Sequence, residues 1–114
     1  MVPEKDRVRL LDMRDHAREA LDFISGKSRS DLQDVRWLNL SLVRLLEIVG
    51  EAANRVSDQT RSEYPSVQWR QIIALRNRLI HGYNQVDFDI LWEILQEDIP
   101  RLLSALETIL DDHR

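Results

Sequence analysis

Four side chains that could take part in a reaction lie close together in this sequence: Arg76, Asn77, His81 and Tyr83. Imidazole can accept and donate protons near neutral pH, and a guanidinium can stabilise charge that develops on a phosphate. RNA carries its own nucleophile, the 2′-hydroxyl. Its cleavage therefore needs a base, an acid and an electrostatic clamp, and requires no metal ion. One histidine supplies one proton-transfer group, so a two-fold dimer that joins two copies of this segment would suit the chemistry better.

A single helix from Val67 to about His81 is predicted to position these groups. At about 100° per residue, Arg76 lies within its apolar face, where a guanidinium needs a partner. Asn77 and His81 are i and i+4 neighbours on the shoulder of that face, and Gly82 is the predicted C-cap. Arg76 and His81 are about 140° apart on a straight helix, so we expect them to converge across a dimer and not within one chain. The predicted apolar face consists of Trp69, Ile72, Ile73, Leu79 and Ile80.

The remaining segments also have helical periodicity, and none alternates like a strand. Helix one is predicted from about Pro3 to Ser25, followed by Gly26. Helix two is predicted from Ser30, with Gln33 completing a capping box, to about Val56. A polar loop with at most one helical turn follows, and Ser66 is a plausible N-cap of helix three. Helix four follows Asp87 as N-cap and is expected to kink at Pro100. The sequence thus predicts an all-α protein in which residues 1–114 form one domain.

Charge and composition narrow the class of protein. The net charge is −4, which argues against a general nucleic-acid binder, but residues 61–83 contain four arginines and one glutamate. There is no cysteine, and three dispersed histidines do not form a metal site. No apolar run is long enough for a membrane span, and the charged N-terminus does not resemble a signal peptide. We therefore expect a cytoplasmic protein without metal or cofactor.

Helix two carries more apolar surface than a surface helix needs. Beyond its main stripe, a second apolar set predicts a partner helix, most simply from a second copy of the chain. The second set consists of Trp37, Leu40, Val43 and Ile48. Arg44 and Glu51 lie on the remaining polar strip, where they could line a groove or form a solvated surface. The sequence assigns no role to either.

The spacing Arg76-x-x-x-x-His81-x-Tyr83 resembles the R-x-x-x-x-H-x-Y motif of HepT-like proteins, within the HEPN superfamily. The resemblance covers nearly the whole chain and is closest over residues 45–103. Flanking segments match this family in order and spacing: Val49-Gly50-Glu51-Ala52-Ala53, Tyr64-Pro65, Trp69, Val86-Asp87, Leu91-Trp92 and Asp98-Ile99-Pro100.

The resemblance implies an antiparallel four- to five-helix HEPN-type bundle that forms a two-fold homodimer. It also implies the toxin of a type VII toxin–antitoxin system, a metal-independent RNase that cleaves cellular RNA such as transfer RNA. Its partner would be an MntA-like minimal nucleotidyltransferase antitoxin that adenylylates the motif tyrosine. Arg76 and His81 match the catalytic positions, Asn77 a supporting position, and Tyr83 the modified tyrosine.

Two other interpretations fit the residues. A non-catalytic helical dimer could serve as the substrate-binding or regulatory partner of a minimal nucleotidyltransferase. Alternatively, Arg76 could simply pair with a carboxylate at an ordinary helix end. Loss of nuclease activity in a folded His81→Ala variant would favour the RNase toxin. A complex with the nucleotidyltransferase that survives this substitution, with no nuclease activity to lose, would favour the non-catalytic dimer, and loss of stability alone in Arg76→Ala would favour the simple ion pair.

Overall fold

The chain folds as a bundle of helices with one short β-hairpin, in a computed structural model that describes residues 2–82 and 85–111. The predicted all-α class is confirmed. No helix within these described ranges is both long and apolar enough to cross a membrane. The elements are α1 (Glu4–Ile24), α2 (Arg29–Asp34), α3 (Arg36–Asn54), α4 (Asp58–Glu63), α5 (Trp69–Ile73), α6 (Leu75–Leu79), β1 (Ile80–His81), β2 (Gln85–Val86), α7 (Phe88–Glu93), a π-helical turn (Ile94–Asp98) and α8 (Ile99–Asp111).

The core lies where α1 packs against α3 and α8. Each of these helices buries residues three or four positions apart, as a single helix face requires. Each fully buried aliphatic side chain contributes about 1.5–3 kcal/mol relative to exposure. This core is the platform on which α5 and α6 rest, since both also contact α3. Its buried side chains include Leu10, Met13 and Ala17 of α1, Leu38, Leu42 and Leu46 of α3, and Leu102, Leu106 and Ile109 of α8.

Gly50 allows α3 and α5 to approach closely. A β-carbon at this position would lie 3.0 Å from the backbone oxygen of Ile72, which is closer than such contacts usually are. Because the obstructing atom belongs to a helix backbone, it cannot move away as a flexible side chain could. The glycine therefore fixes how near α5, and the segment that follows it, lies to α3.

The prediction of one continuous second helix is wrong. The chain forms two helices, α2 and α3, with Val35 in an extended conformation between them. The capping box is formed by Ser28 and Asp31, not by Ser30 and Gln33. Asn39 donates from Nδ2 to the backbone oxygen of Leu32 at 2.8 Å, which satisfies a carbonyl at the end of α2. This buried hydrogen bond stabilises the break.

The sequence predicts a kink at Pro100, and the structure has a π-helical turn just before this part of the helix. Residues Ile94–Asp98 are π-helical, and α8 resumes at Ile99. Proline lacks a backbone N–H and its ring clashes with the carbonyl four residues earlier, at Gln96. The wider turn provides the space that the ring needs.

Candidate active site

The segment that carries Arg76 is not one helix but two. Ala74 adopts φ −88° and ψ 8°, which separates α5 from α6. The N-cap position of α5 is Gln68, not Ser66 as predicted, and the Gln68 side chain makes no capping hydrogen bond. The break changes which positions face the core, so that Ile72, Leu75 and Leu79 are buried. Arg76 is therefore 62% exposed. The prediction that Arg76 lies within an apolar face is wrong. It assumed one straight helix, whereas the helix axis is interrupted at Ala74.

Arg76 nevertheless has a carboxylate partner. Its Nε donates to Oε2 of Glu47 at 2.9 Å, and Glu47 is only 21% exposed. Within the described residues, the structure gives the terminal nitrogens of Arg76 no hydrogen bond. The pair therefore orients the guanidinium from its inner edge and leaves the outer edge directed at solvent, where a phosphate could bind.

His81 lies on a β-hairpin, not at the end of a helix. Helix α6 ends at Leu79, after which Ile80 pairs with Val86 and His81 pairs with Gln85 in an antiparallel ladder. The backbone N–H of Asp87 donates to the oxygen of Leu79 at 2.8 Å, which closes the base of the hairpin. The prediction of a helix as far as His81 is wrong, because this pairing with residues 85–87 replaces the next helical turn.

Gly82 has φ +63° and follows β1, so it serves the turn of the hairpin and is not the helix C-cap that was predicted. The positive φ suits glycine, which pays no β-carbon penalty there. Tyr83, the predicted modification site, and Asn84 lie outside the described residues.

Asp87 is the N-cap of α7, as predicted. Its Oδ1 accepts from the backbone N–H of Ile90 at 3.0 Å, and its Oδ2 lies 3.4 Å from Nε2 of His81. The pKa of Asp87 is lowered, first by the hydrogen bond from Ile90, against a smaller opposing effect of burial, and further by the N–H of Asp89 and by His81. Asp87 therefore faces the imidazole as a carboxylate, although the sequence indicated only a cap.

Arg76 and His81 line the same groove, which has a volume of about 800 Å³. The expectation that they do not converge within one chain is wrong, because the turn from α6 into β1 redirects the backbone between them. The groove also contains a second guanidinium, from Arg36, and the carboxylates of Glu47 and Asp87. Its lining residues are Arg36, Asn39, Leu40, Val43, Glu47, Arg76, Ile80, His81, Gln85, Val86, Asp87 and Phe88.

Asn77 does not share this groove. It is exposed and lines a neighbouring depression with Glu51, Asn54 and Ile73, to which Arg76 and Glu47 also contribute. Asn77 and His81 are not i and i+4 neighbours on one helix, as was predicted, because α6 ends at Leu79, between them. Arg76 thus stands between the two depressions.

Sequence reasoning missed Glu47, Asp87 and Arg36 as members of the site. A signal for Glu47 was present, since Arg44, Glu47 and Glu51 form a polar strip with helical spacing on α3. Arg44 and Glu51, which the sequence left without a role, form an exposed ion pair at 3.8 Å. In the parts of the chain that the structure describes, no group of three or more histidine or carboxylate side chains could hold a metal ion.

Comparisons with known proteins extend these observations. Residues 13–109 match the profile of the Ribonuclease HepT-like family. The chain is 30% identical over 100 residues to the Methanocaldococcus jannaschii protein named "Putative RNase MJ1380", covering 88% of this chain and 92% of that protein. It is 32% identical over 95 residues to "Probable ribonuclease HepT" of Thermococcus cleftensis, covering 80% and 86% of the two chains.

A third relative, "Putative RNase TTE0752" of Caldanaerobacter subterraneus subsp. tengcongensis, is 32% identical over 94 residues, covering 82% of this chain and 84% of the relative. No solved structure matched the chain.

Proposed function

Since the chain belongs to the Ribonuclease HepT-like family, we propose that it is a metal-independent endoribonuclease in which His81 transfers protons and Arg76 binds phosphate. The observation that supports this proposal most is that the turn from α6 into β1 leads both side chains into one groove. The two relatives at 32% identity are also named as ribonucleases. RNA, including transfer RNA, is the proposed substrate.

The reaction we propose is an internal transesterification. His81 takes the proton of a 2′-hydroxyl, the resulting oxygen attacks the adjacent phosphorus, and the bond from phosphorus to the 5′-oxygen breaks as that oxygen gains a proton. The products are a 2′,3′-cyclic phosphate and a 5′-hydroxyl. Arg76, already oriented by Glu47, would stabilise the negative charge that grows on the phosphate oxygens in the transition state.

A second copy of the chain would supply the second proton-transfer group. Trp37 and Leu40 on α3 are 61% and 51% exposed, which is unusual for large apolar side chains. Leu40 also lines the Arg76–His81 groove. A homodimer formed through this part of α3 would therefore lie next to the groove, where the imidazole of one copy could act as base and that of the other as acid.

The biological role we propose is that of the toxin in a type VII toxin–antitoxin system, with residues 1–114 as a single HepT-like domain in the cytoplasm. An MntA-like nucleotidyltransferase would silence it by adenylylating Tyr83. Tyr83 follows His81 by two positions in the sequence. An adenylyl group on it would add bulk and negative charge close to His81 in the chain and would repel RNA phosphate.

A metal-free RNase assay tests the proposal. Unmodified wild-type protein, verified by mass spectrometry, is incubated with total RNA and transfer RNA in chelator, alongside His81→Ala and a matched control, His16→Ala. His16 lies on α1, where its Nδ1 is 2.7 Å from the oxygen of Asp12. We expect cleavage by wild type and the control, and none by folded His81→Ala. Absence of cleavage by wild type would favour the non-catalytic nucleotidyltransferase partner, and cleavage that survives in His81→Ala would exclude His81 as the catalytic group.

The proposed regulation has its own test. Wild type and Tyr83→Phe are incubated with the MntA-like enzyme and ATP and then assayed on RNA. We expect the Phe variant to cleave RNA before and after this treatment, whereas wild type gains AMP and loses activity. Silencing of the Phe variant would exclude modification of Tyr83 as the mechanism.

A further inference from the structure

Two hydrogen bonds fix the position of Asp87, and one of its carboxylate oxygens lies near His81. Its backbone N–H donates to Leu79 across the base of the hairpin at 2.8 Å, and its Oδ1 accepts from Ile90 at 3.0 Å. The other oxygen, Oδ2, is 3.4 Å from Nε2 of His81. Both residues line the groove, and Asp87 is the less exposed of the two, at 33% against 57%. The carboxylate is therefore the fixed member of the pair.

We propose that Asp87 is a positioning residue that accepts the Nε2–H of His81 and so directs the Nδ1 lone pair of this imidazole towards RNA. The catalytic part of this inference rests on the proposed ribonuclease function, whereas the pairing itself does not.

The reason lies in the two nitrogens of imidazole. In the neutral ring one nitrogen donates and the other accepts, and an ionised carboxylate can only accept. A carboxylate fixed beside Nε2 therefore favours the tautomer with the proton on that nitrogen. Nδ1 then has the free lone pair that removes the proton of the 2′-hydroxyl. The imidazolium formed in that step donates to the same carboxylate, which stabilises it.

His16 provides an internal reference with the opposite tautomer. Its Nδ1 lies 2.7 Å from the backbone oxygen of Asp12, and a carbonyl oxygen only accepts. His16 therefore carries its proton on Nδ1. The ¹⁵N chemical shifts of the two rings should differ in the same sample.

The test is Asp87→Asn. Asparagine is as good an N-cap as aspartate, so its oxygen can keep the hydrogen bond from Ile90 while its NH₂ group faces His81. An NH₂ group donates, and the favoured His81 tautomer should reverse to Nδ1–H. The measurement is two-dimensional ¹H–¹⁵N NMR of the imidazoles in the full chain without RNA, at about pH 8.5, where free imidazole is neutral.

The matched control is Asp89→Asn. Asp89 lies two residues further on, and its Oδ1 accepts from Nε of Arg29 at 2.8 Å instead of facing His81. We expect wild type and Asp89→Asn to show Nε2–H at His81, Asp87→Asn to show Nδ1–H, and His16 to be unchanged in all three. The same tautomer of His81 in wild type and in Asp87→Asn would overturn the proposal.

Kinetics then test the catalytic consequence. Asp87→Asn should lower kcat on RNA by about 10- to 100-fold with little change in KM, because the carboxylate acts on the proton transfer and not on binding. A reversed tautomer in a protein whose wild type cleaves no RNA would support the pairing and reject the ribonuclease assignment. Unchanged kcat in Asp87→Asn, with cleavage that depends on His81, would reject the positioning role alone.

A second variant covers the case in which Asp87→Asn does not fold. Serine is also a good N-cap but is too short to reach His81, so Asp87→Ser should leave the imidazole without a carboxylate. We expect a mixture of tautomers and a similar loss in kcat. Retention of the pure wild-type tautomer in this variant would overturn the proposal.

Discussion

Arg76 donates from Nε to Oε2 of Glu47 at 2.9 Å, which joins α6 to α3 at the edge of the groove. The carboxylate is mostly buried while the guanidinium is mostly exposed, so Glu47 is the fixed partner. An arginine held in this way loses less conformational freedom when it binds a phosphate. The pair therefore connects the packing of α3 with the chemistry proposed for Arg76.

Glu47→Gln should lower kcat about tenfold while changing the free energy of unfolding by less than about 1 kcal/mol, because a partly exposed ion pair contributes little to stability. Arg76→Ala should lower kcat by about 10²- to 10³-fold, since it removes the charge that stabilises the transition state. Steady-state kinetics and urea unfolding measure both quantities. The control is Glu51→Gln, which removes a carboxylate from the same helix and should leave kcat unchanged; an equal loss in this control would contradict a specific role of Glu47.

Asp6 should make the stability depend on acid pH. Burial raises the pKa of this carboxyl, but three hydrogen bonds lower it: one from the Ser57 hydroxyl, one from the Thr60 hydroxyl and one from the Ser57 backbone N–H. The charge of the nearby Lys5 lowers it further, so that the pKa lies below its usual value of 3.8. The stabilisation by the carboxylate is thus complete above the unfolded pKa and is lost as the pH falls through the lower folded pKa.

Asp6→Asn should therefore lower the free energy of unfolding at pH 7 by about 1.5–3 kcal/mol, the range for hydrogen bonds to charged groups. The difference from wild type should shrink as the pH falls below 3.8. Urea unfolding at a series of pH values measures this. Asp15→Asn, an exposed carboxylate on the same helix, is the control, and a difference from wild type that does not change with pH would contradict the role given to Asp6.

Arg78 and Asp98 should contribute more to stability than the surface pairs do. Nη1 of Arg78 donates to Oδ2 of Asp98 at 2.8 Å, and the two side chains are only 29% and 15% exposed. This pair ties α6 to the π-helical turn. A double-mutant cycle with Arg78→Met and Asp98→Asn should give a coupling energy above about 1 kcal/mol by thermal unfolding. The same cycle on the exposed pair Arg29 and Asp89 should give a coupling energy of less than about 0.5 kcal/mol. Equal coupling energies for the two pairs would show that burial does not strengthen the Arg78–Asp98 pair.

Trp37 and Leu40 should mediate the proposed dimer. A charge at either position would have to be buried without a partner in the interface, so Trp37→Glu and Leu40→Glu should yield monomers by light scattering coupled to gel filtration. Val8→Glu is the control, because Val8 is 44% exposed on α1 and should leave the mass unchanged. A monomeric wild type would reject this face as the interface, and so would dimers formed by both single variants, Trp37→Glu and Leu40→Glu.

Much of the fold could be predicted because its helices have a periodic apolar pattern. Helix α1, the N-cap at Asp87 and the helical class all follow from short-range rules of spacing and capping. The breaks at Val35 and Ala74 could not be predicted in the same way. The break at Val35, for example, is stabilised by the hydrogen bond from Asn39 to Leu32, which no periodic pattern indicates.

The sequence by itself determined the helical class and the motif that joins Arg76 to His81. The tertiary structure decided where those two side chains lie. A helical wheel assigns each residue an angle on the assumption of a continuous axis, and that axis is broken at Ala74 and ends at Leu79. The hydrogen bond from Asp87 to Leu79, and the approach of Glu47 to Arg76, join residues that no local rule connects. Only the folded chain could therefore bring both carboxylates to the groove.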